Sequence, residues 1–313
     1  MWGESLRGGG RGKREGKAFA ATPKVSIDMP VSAFWALAAA AGLGAAMITT
    51  RQGLRYASPA AGAAIGVPSS TLVFWCLAPF LLDRGGFNLA AAGIYALVGL
   101  FFPAAVTLLT YSGNQRMGPT ITSSVSCTTP LFALSGAILF LGEKLTLGNM
   151  LGTAGIVLGM LALTWGGDAR ARSWPLWAIA LPVAAAVLRA LAQVLTKAGL
   201  ALWGSPYAAT LIGYTVSAAI ILAATRLRAA RAPADRRAAP WFVATGILNG
   251  ASVLLMYTAL AEGKVALVSP IVATYPLFTL ALSMLFLRHE RMPPRVALGA
   301  MLTVAGVAVL LTA

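Results

Sequence analysis

The chain has 313 residues, of which 58% are hydrophobic and only 11% are charged, and its mean hydropathy is +0.78. A soluble domain carries about 25% charged residues, so this composition excludes an ordinary soluble domain and favours a protein that folds in a lipid bilayer. The net charge of +15 does not indicate nucleic-acid binding, because the basic residues lie in the first 24 residues and in the turns instead of one patch.

The start of the chain differs from everything that follows it. Residues 1–30 are rich in Gly and in basic residues and predict a disordered tail. Ten apolar stretches follow, each about as long as a helix that crosses roughly 30 Å of hydrocarbon. Their predicted bounds are 31–50, 60–82, 89–111, 120–141, 147–165, 174–196, 207–225, 241–261, 265–287 and 295–312. Nearly all the charge lies in the turns between them, because a charge at mid-membrane costs about 2.5–3.5 kcal/mol.

The sequence contains an internal repeat. Residues 128–141 read TTPLFALSGAILFL and residues 274–287 read TYPLFTLALSMLFL, and a charged turn follows each. Tyr111 and Tyr257 match at the same spacing, as do several Gly and Pro positions. Repeated halves are typical of secondary transporters, whose substrate path lies at the interface between the repeats.

Each half contains five of the predicted spans, which is an odd number. The two halves would therefore enter the membrane with opposite orientations. The predicted fold is an all-α integral membrane protein with ten transmembrane helices, arranged as two inverted five-helix repeats over 31–166 and 174–313.

Two segments carry a family resemblance: TTPLFALSGAILFLGEKLTLGNMLGTAGIVLGML at 128–161 and SPIVATYPLFTLALSMLFLRHERM at 269–292. They resemble the ten-helix, EamA-type transporters of the drug/metabolite transporter superfamily. The first half matches that pattern closely from Phe140 to Leu145, whereas the second has Arg288 where the family has a glycine. The resemblance implies that helices 1–4 and 6–9 surround a central cavity, with helices 5 and 10 outside them. It also implies that both termini lie inside the cell.

Arg189 is the most unusual residue within a predicted span. It lies near the middle of the sixth span, and Gln193 and Lys197 follow on nearly the same helical face. Every Asp and Glu lies in a turn or in the tail, so the chain offers Arg189 no carboxylate at its depth. One interpretation is that Arg189 and Gln193 bind an anionic group of a substrate. The alternative is an Arg that extends to the membrane surface or binds backbone carbonyls.

The fourth span is rich in hydroxyl groups. Thr122, Ser126 and Thr129 recur at helical spacing just before Pro130, and Tyr275 and Pro276 occupy the matching part of the ninth span. One interpretation is a hydroxyl-lined pathway in which both prolines break their helices and expose carbonyls. The alternative is hydrogen bonding between helices, which Ser and Thr also supply in membranes.

The function that these patterns favour is a secondary transporter. We expect it to move a small polar or anionic metabolite, such as an organic acid or an amino-acid-like compound, across a bacterial-type cytoplasmic membrane, outward and by alternating access. The spans contain no His/Asp/Glu or Cys/His constellation, so the sequence predicts no enzyme, metal or cofactor. The expected partners are the substrate and the bilayer, with no nucleic acid. The sequence does not decide whether the protein forms a homodimer. The alternatives are a membrane scaffold or sensor without flux, and a drug or cation exporter of the same superfamily.

Overall fold

The structure, a computed structural model of the chain, describes residues 30–83, 85–164, 174–227, 235–286 and 294–312. Every regular element in these ranges is a helix. The predicted tail up to residue 29 and the turn that contains His289 and Glu290 lie outside the described residues.

The helices of the two halves follow one another along the chain. The first half contains α1 (Val31–Gly53), α2 (Pro59–Leu81), α3 (Leu89–Phe101), α4 (Ala104–Ser126), α5 (Thr129–Leu141) and α6 (Leu147–Thr164). The second half begins with a 3₁₀ turn (Leu176–Ile179) and contains α7 (Ala180–Leu202), α8 (Pro206–Leu227), α9 (Ala238–Glu262), α10 (Val265–Val272), α11 (Tyr275–Phe286) and α12 (Pro294–Thr312). Seven described helical segments are long and apolar enough to cross a membrane, and three shorter apolar helices accompany them.

The third predicted span is broken between α3 and α4. Pro103 lies at this break and has no amide hydrogen to continue the helix. The hydroxyl of Ser217 on α8 compensates, since it accepts a hydrogen bond from the Ala104 amide at 3.3 Å and donates one to the Gly99 carbonyl at 2.6 Å. A break at membrane depth is stable only when a neighbour satisfies the freed backbone groups in this way.

The turn predicted between the third and fourth spans lies inside α4. A straight helix would separate Gly113 and Thr122 by about 13.5 Å along its axis. However, a Cβ placed on Gly113 would lie only 3.1 Å from the Thr122 side chain. The chain therefore bends sharply between these residues, where the sequence has Gly118 and Pro119. The predicted turn between the third and fourth spans is therefore a bend inside one helix, because helical structure extends up to the bend from both sides.

The two halves interlock in a repeated pattern of helix contacts. Helix α1 packs against α9 and α11, and the matching helix of the second half, α7, packs against α4 and α5. Helices α6 and α12, the last of each half, pack against each other. At that contact a Cβ on Gly152 would lie 2.9 Å from the Gly306 carbonyl, so the glycines let these helices approach closely.

The helix bundle has two distinct ends. At one, here called the terminal end, the start of α1 at Ser32 meets the turn between α9 and α10 at Gly263. At the other, the opposite end, the first part of α4 meets the start of the second half, where Arg116 stacks on Trp177 at 4.6 Å. The first helix of each half thus starts at a different end of the bundle.

Candidate functional site

A polar cavity of about 90 Å³ lies between the two halves. Helices α1, α4, α7, α9, α10 and α11 contribute to its wall. Its polar lining residues are Thr50, Thr107, Thr110, Tyr111, Arg189, Thr245, Asn249, Ser252 and Tyr275. Several apolar side chains, Met256 among them, complete the wall. The cavity therefore combines an apolar surface with a few convergent polar groups, which is the usual composition of a small-molecule site.

Arg189 is the only charged residue among those described in the cavity wall. Helix α7 places it at mid-length, where the side chain is half-buried and interacts with Tyr275 on α11. The carboxylates of the described residues, Asp83, Glu143, Asp235 and Glu262, lie at helix ends or in turns. Arg189 therefore presents a positive charge to the cavity without a carboxylate from the described chain at its depth.

The rest of the predicted polar stripe on α7 has other partners. Gln193 is only 1% exposed, and its Nε2 donates to the Met256 Sδ at 3.7 Å. Lys197 donates to the backbone carbonyl of Leu260 at 2.6 Å. Neither residue is among those that line the cavity. The structure therefore separates Arg189 from the two polar residues that follow it on the same face.

The predicted hydroxyl face of the fourth span does not line the cavity either. The Ser126 hydroxyl donates to the Thr122 carbonyl at 2.8 Å, and the Thr129 hydroxyl donates to the Ser126 carbonyl at 2.7 Å. All three side chains are at most 4% exposed. Ser126 nevertheless lies beside Tyr275, which does line the cavity. In this conformation, bonds within the chain itself satisfy two of these three hydroxyls.

Sequence reasoning did not predict the polar cavity-lining residues on α1, on α9 and in the first part of α4 as site residues. Asn249 on α9 is a half-buried amide within an apolar helix, and Thr245 lies one turn before it. Thr50 and Tyr111 face each other across the opposite-end part of the cavity. The isolated Asn249 was a usable signal, because an amide in a membrane-spanning helix is costly unless it meets a partner or a cavity.

The Thr50–Tyr111 contact recurs in the second half. Thr196 and Tyr257 stand 146 residues further along the chain and also face each other. Both members of the second pair are at most 3% exposed and neither lines the cavity. All four side chains are buried, but only the pair of the first half lies against the cavity.

The helix breaks near Pro130 and Pro276 occupy equivalent places in the two halves. Residues 127–128 separate α4 from α5, and residues 273–274 separate α10 from α11. Each proline is the second residue of the helix that follows its break. Proline suits this position, because the first turn of a helix has no internal partner for its amide groups.

A larger depression of about 600 Å³ is a poorer candidate. It lies between α2 and α8 and is lined by apolar side chains together with Thr215. The Thr215 hydroxyl accepts a hydrogen bond from Trp75 Nε1 at 3.0 Å and donates one to the Leu211 carbonyl at 2.6 Å. Lipid chains suit such a surface better than a polar solute does, because nearly all of its lining side chains are apolar. Within the described residues, no group of three or more His, Cys, Asp or Glu could hold a metal ion.

Two helical halves that repeat each other around a polar cavity define a membrane protein of the transporter type. The sequence model of the EamA-like transporter family matches residues 31–165 and again residues 176–312. The chain belongs to this family, within the drug/metabolite transporter superfamily, and is an integral multi-pass membrane protein.

The fold of the chain is also known from other proteins. One crystal structure is similar over 90% of this chain and 95% of its own, with a TM-score of 0.70 and 18% sequence identity. At that identity the likeness shows the fold alone. No curated protein matches the chain in sequence.

Proposed function

We propose that the protein is a secondary transporter with ten membrane spans in two inverted halves, and that it carries a small anionic metabolite across the cytoplasmic membrane, in the outward direction. Family membership supports transport, and Arg189 supports the choice of substrate. The hydroxyl and amide groups of the cavity could bind a neutral solute, but only a positive charge attracts an anion strongly.

The positive charge of Arg189, which has no carboxylate of the described residues at its depth, is the single observation that carries this proposal. A charged residue at mid-membrane costs about 2.5–3.5 kcal/mol, so a position like this one is retained for a pathway or a partner. The guanidinium can donate two parallel hydrogen bonds to one carboxylate. Tyr275, which interacts with Arg189, adds a hydroxyl beside the same place.

The size of the cavity supports alternating access. Binding sites for small ligands measure roughly 300–1,000 Å³, whereas this cavity measures about 90 Å³. The wall must therefore move apart to admit a metabolite. Such a movement between two packed halves is the mechanism that repeated transporters use.

The positive charge of Arg189 also separates this proposal from its rivals. A lipophilic cation entering the cavity would meet a like charge, which disfavours a drug or cation exporter. A scaffold or sensor would not carry solute at all, and only flux measurements distinguish it from a transporter.

The test is transport into liposomes that contain the purified protein, with matched probes. We expect saturable counterflow of a carboxylate such as lactate or succinate, and much slower transport of lactamide and succinamide, which have similar sizes and no charge. Tetraphenylphosphonium should not be carried. Saturable flux of the cation alone would overturn the proposal, and absence of counterflow with every probe would favour a scaffold or sensor.

The Arg189→Gln variant tests the residue itself. It should fold, because it removes a costly buried charge, and it should lose carboxylate transport. Arg189→Lys should recover only part of the rate, because an ammonium lacks the planar two-donor fork. Lys264→Gln, which removes an exposed charge at a helix end, is the matched control and should transport normally. Wild-type carboxylate flux by folded Arg189→Gln would disprove the anion site.

A further inference from the structure

Glu143 joins the two halves at the terminal end of the bundle. It follows α5 of the first half, and both of its carboxylate oxygens accept hydrogen bonds from α10 of the second half. The Val265 amide donates to one oxygen at 2.9 Å and the Ala266 amide donates to the other at 3.0 Å. These are the first two amides of α10, which have no partner within their own helix. A carboxylate here also interacts favourably with the positive end of the helix dipole.

Lys197 holds the other side of the same turn. Its ammonium donates to the Leu260 carbonyl in the last turn of α9, where the helix dipole is negative. Glu143 also attracts the Lys197 charge. Lys197 thus hydrogen-bonds to the end of α9 and Glu143 to the start of α10. We call this pair of residues and their bonds the clamp. Gly263, inside the clamped turn, packs directly on Ser32 of α1.

The clamp closes the terminal end, whereas the cavity extends the other way. From Arg189 at mid-membrane, the cavity wall continues to Thr50, Tyr111 and Thr245, which lie toward the opposite end. Thr196 and Tyr257, next to the clamp, are buried and do not line the cavity. The cavity therefore reaches from Arg189 toward the opposite end and does not reach the clamp.

The repeat supplies a counterpart for each part of the clamp. Arg51 corresponds to Lys197, and it is exposed at the opposite end. Glu290 corresponds to Glu143 and lies outside the described residues. Pro119 corresponds to Val265 and has no amide hydrogen, so a clamp at the opposite end would lack one of the two donors. The clamp seen at the terminal end is therefore the stronger of the two that the sequence permits.

We infer that Glu143 and Lys197 form the gate that closes the terminal end of the transport path, and that their release opens this end while Arg51 engages the opposite one. The inference builds on the proposed transport function but does not depend on the chemistry of the substrate.

The test measures access to each end with single cysteines. In a background with Cys76→Ser and Cys127→Ser, Thr50→Cys reports the opposite end and Thr196→Cys reports the terminal end. A membrane-impermeant maleimide is applied to sealed vesicles of either orientation. Without further changes we expect Thr50→Cys, which lines the cavity, to react faster from the opposite side than Thr196→Cys reacts from either side.

The gate variants change only the clamp. Glu143→Gln has one oxygen left to accept a bond and loses the charge, so Thr196→Cys should react at least about tenfold faster from the terminal side. Lys197→Gln should act in the same direction and serves as the second variant if Glu143→Gln does not fold. Lys264→Gln is the matched control, because its ammonium is exposed at the same turn, and it should leave the reaction rate unchanged.

Two results would overturn the gate. One is an unchanged rate at Thr196→Cys in both folded clamp variants, and the other is an equal acceleration by the Lys264→Gln control. The measurement needs no substrate, so it is independent of the anion proposal. A faster reaction in the clamp variants of a protein that carries no carboxylate would keep the gate and reject the anionic substrate.

Discussion

At the scale of single residues, the structure shows how the same residue type behaves differently according to its neighbours. Thr50 lines the cavity and Thr196 does not, although both are buried and each faces the tyrosine of its own half. Glycines show the same dependence. Gly246 packs on another helix, where a side chain would collide with backbone, whereas Gly93 has no atom within 4 Å of an added Cβ.

Gly246 tests how closely α2 and α9 pack. A Cβ at this position would overlap the backbone of Gly66 on α2, and a helix backbone cannot move aside cheaply. We expect Gly246→Ala to destabilise the protein by about 1–3 kcal/mol, the usual cost of overpacking. The measurement is the melting temperature of the detergent-purified protein, followed by the loss of monodisperse material on heating.

Gly93→Ala is the control for that substitution. Nothing lies within 4 Å of a Cβ on Gly93. Alanine stabilises a helix interior relative to glycine by roughly 0.5–1 kcal/mol, so Gly93→Ala should melt at the wild-type temperature or slightly above it. If both variants melted alike, the close approach of α2 and α9 would not be a constraint on stability.

At the scale of helices, the breaks are the features most closely tied to function. Both halves interrupt the span that faces the centre, and the prolines stand just after each interruption. Tyr275 starts the helix that follows the second break and reaches the cavity, so this break positions a lining residue. A break of this kind lets two helix segments move independently while the rest of the span stays packed.

Pro130→Ala and Pro276→Ala test this role. Alanine supplies an amide hydrogen and favours a continuous helix, so each variant should reduce flux while it still inserts into the membrane. Counterflow normalised to the amount of folded protein is the measurement. Pro30→Ala, at the exposed start of α1, should transport normally. Full transport by both Pro130→Ala and Pro276→Ala would show that the breaks are not part of the moving path.

At the scale of the whole molecule, the described chain starts and finishes at one end of the bundle. Ser32 lies at the terminal end, and the antiparallel pair of α6 and α12 brings Leu310 beside Gly152 at the start of α6. In the sequence, the tail and the even-numbered turns between the predicted spans hold ten basic residues, and the odd-numbered turns hold thirteen. The near balance explains why charge alone does not decide the orientation.

The orientation can be measured with reporters fused after Ala313. We follow the family resemblance and expect the terminal end to lie inside the cell, so a fluorescent protein fused there should fluoresce. A secreted phosphatase fused at the same point should be inactive. Active phosphatase would reverse the assignment, and removal of residues 1–28 would then show whether the tail contributes, since only four basic residues would remain against thirteen.

The sequence by itself determined the helical membrane fold, the repeat of the two halves and the position of Arg189. These features follow from composition and periodicity, because a bilayer forces charge out of the spans and forces backbone groups into helices. The family was recognisable from residues 128–161, and the family model confirms it. The break near Pro130 was also foreseeable, since proline restricts the chain wherever it stands.

Only the tertiary structure decided which polar residues face the cavity. Thr122, Ser126 and Thr129 were chosen from their spacing, yet Ser126 and Thr129 bond to their own backbone, as short hydroxyl side chains in helices readily do. Thr50, Tyr111 and Asn249 line the cavity instead. A helix that is apolar on all sides carries no periodic signal for its inner face. Contacts across the halves assign that face, and they likewise bring Glu143 to an α10 amide 122 residues away in the chain.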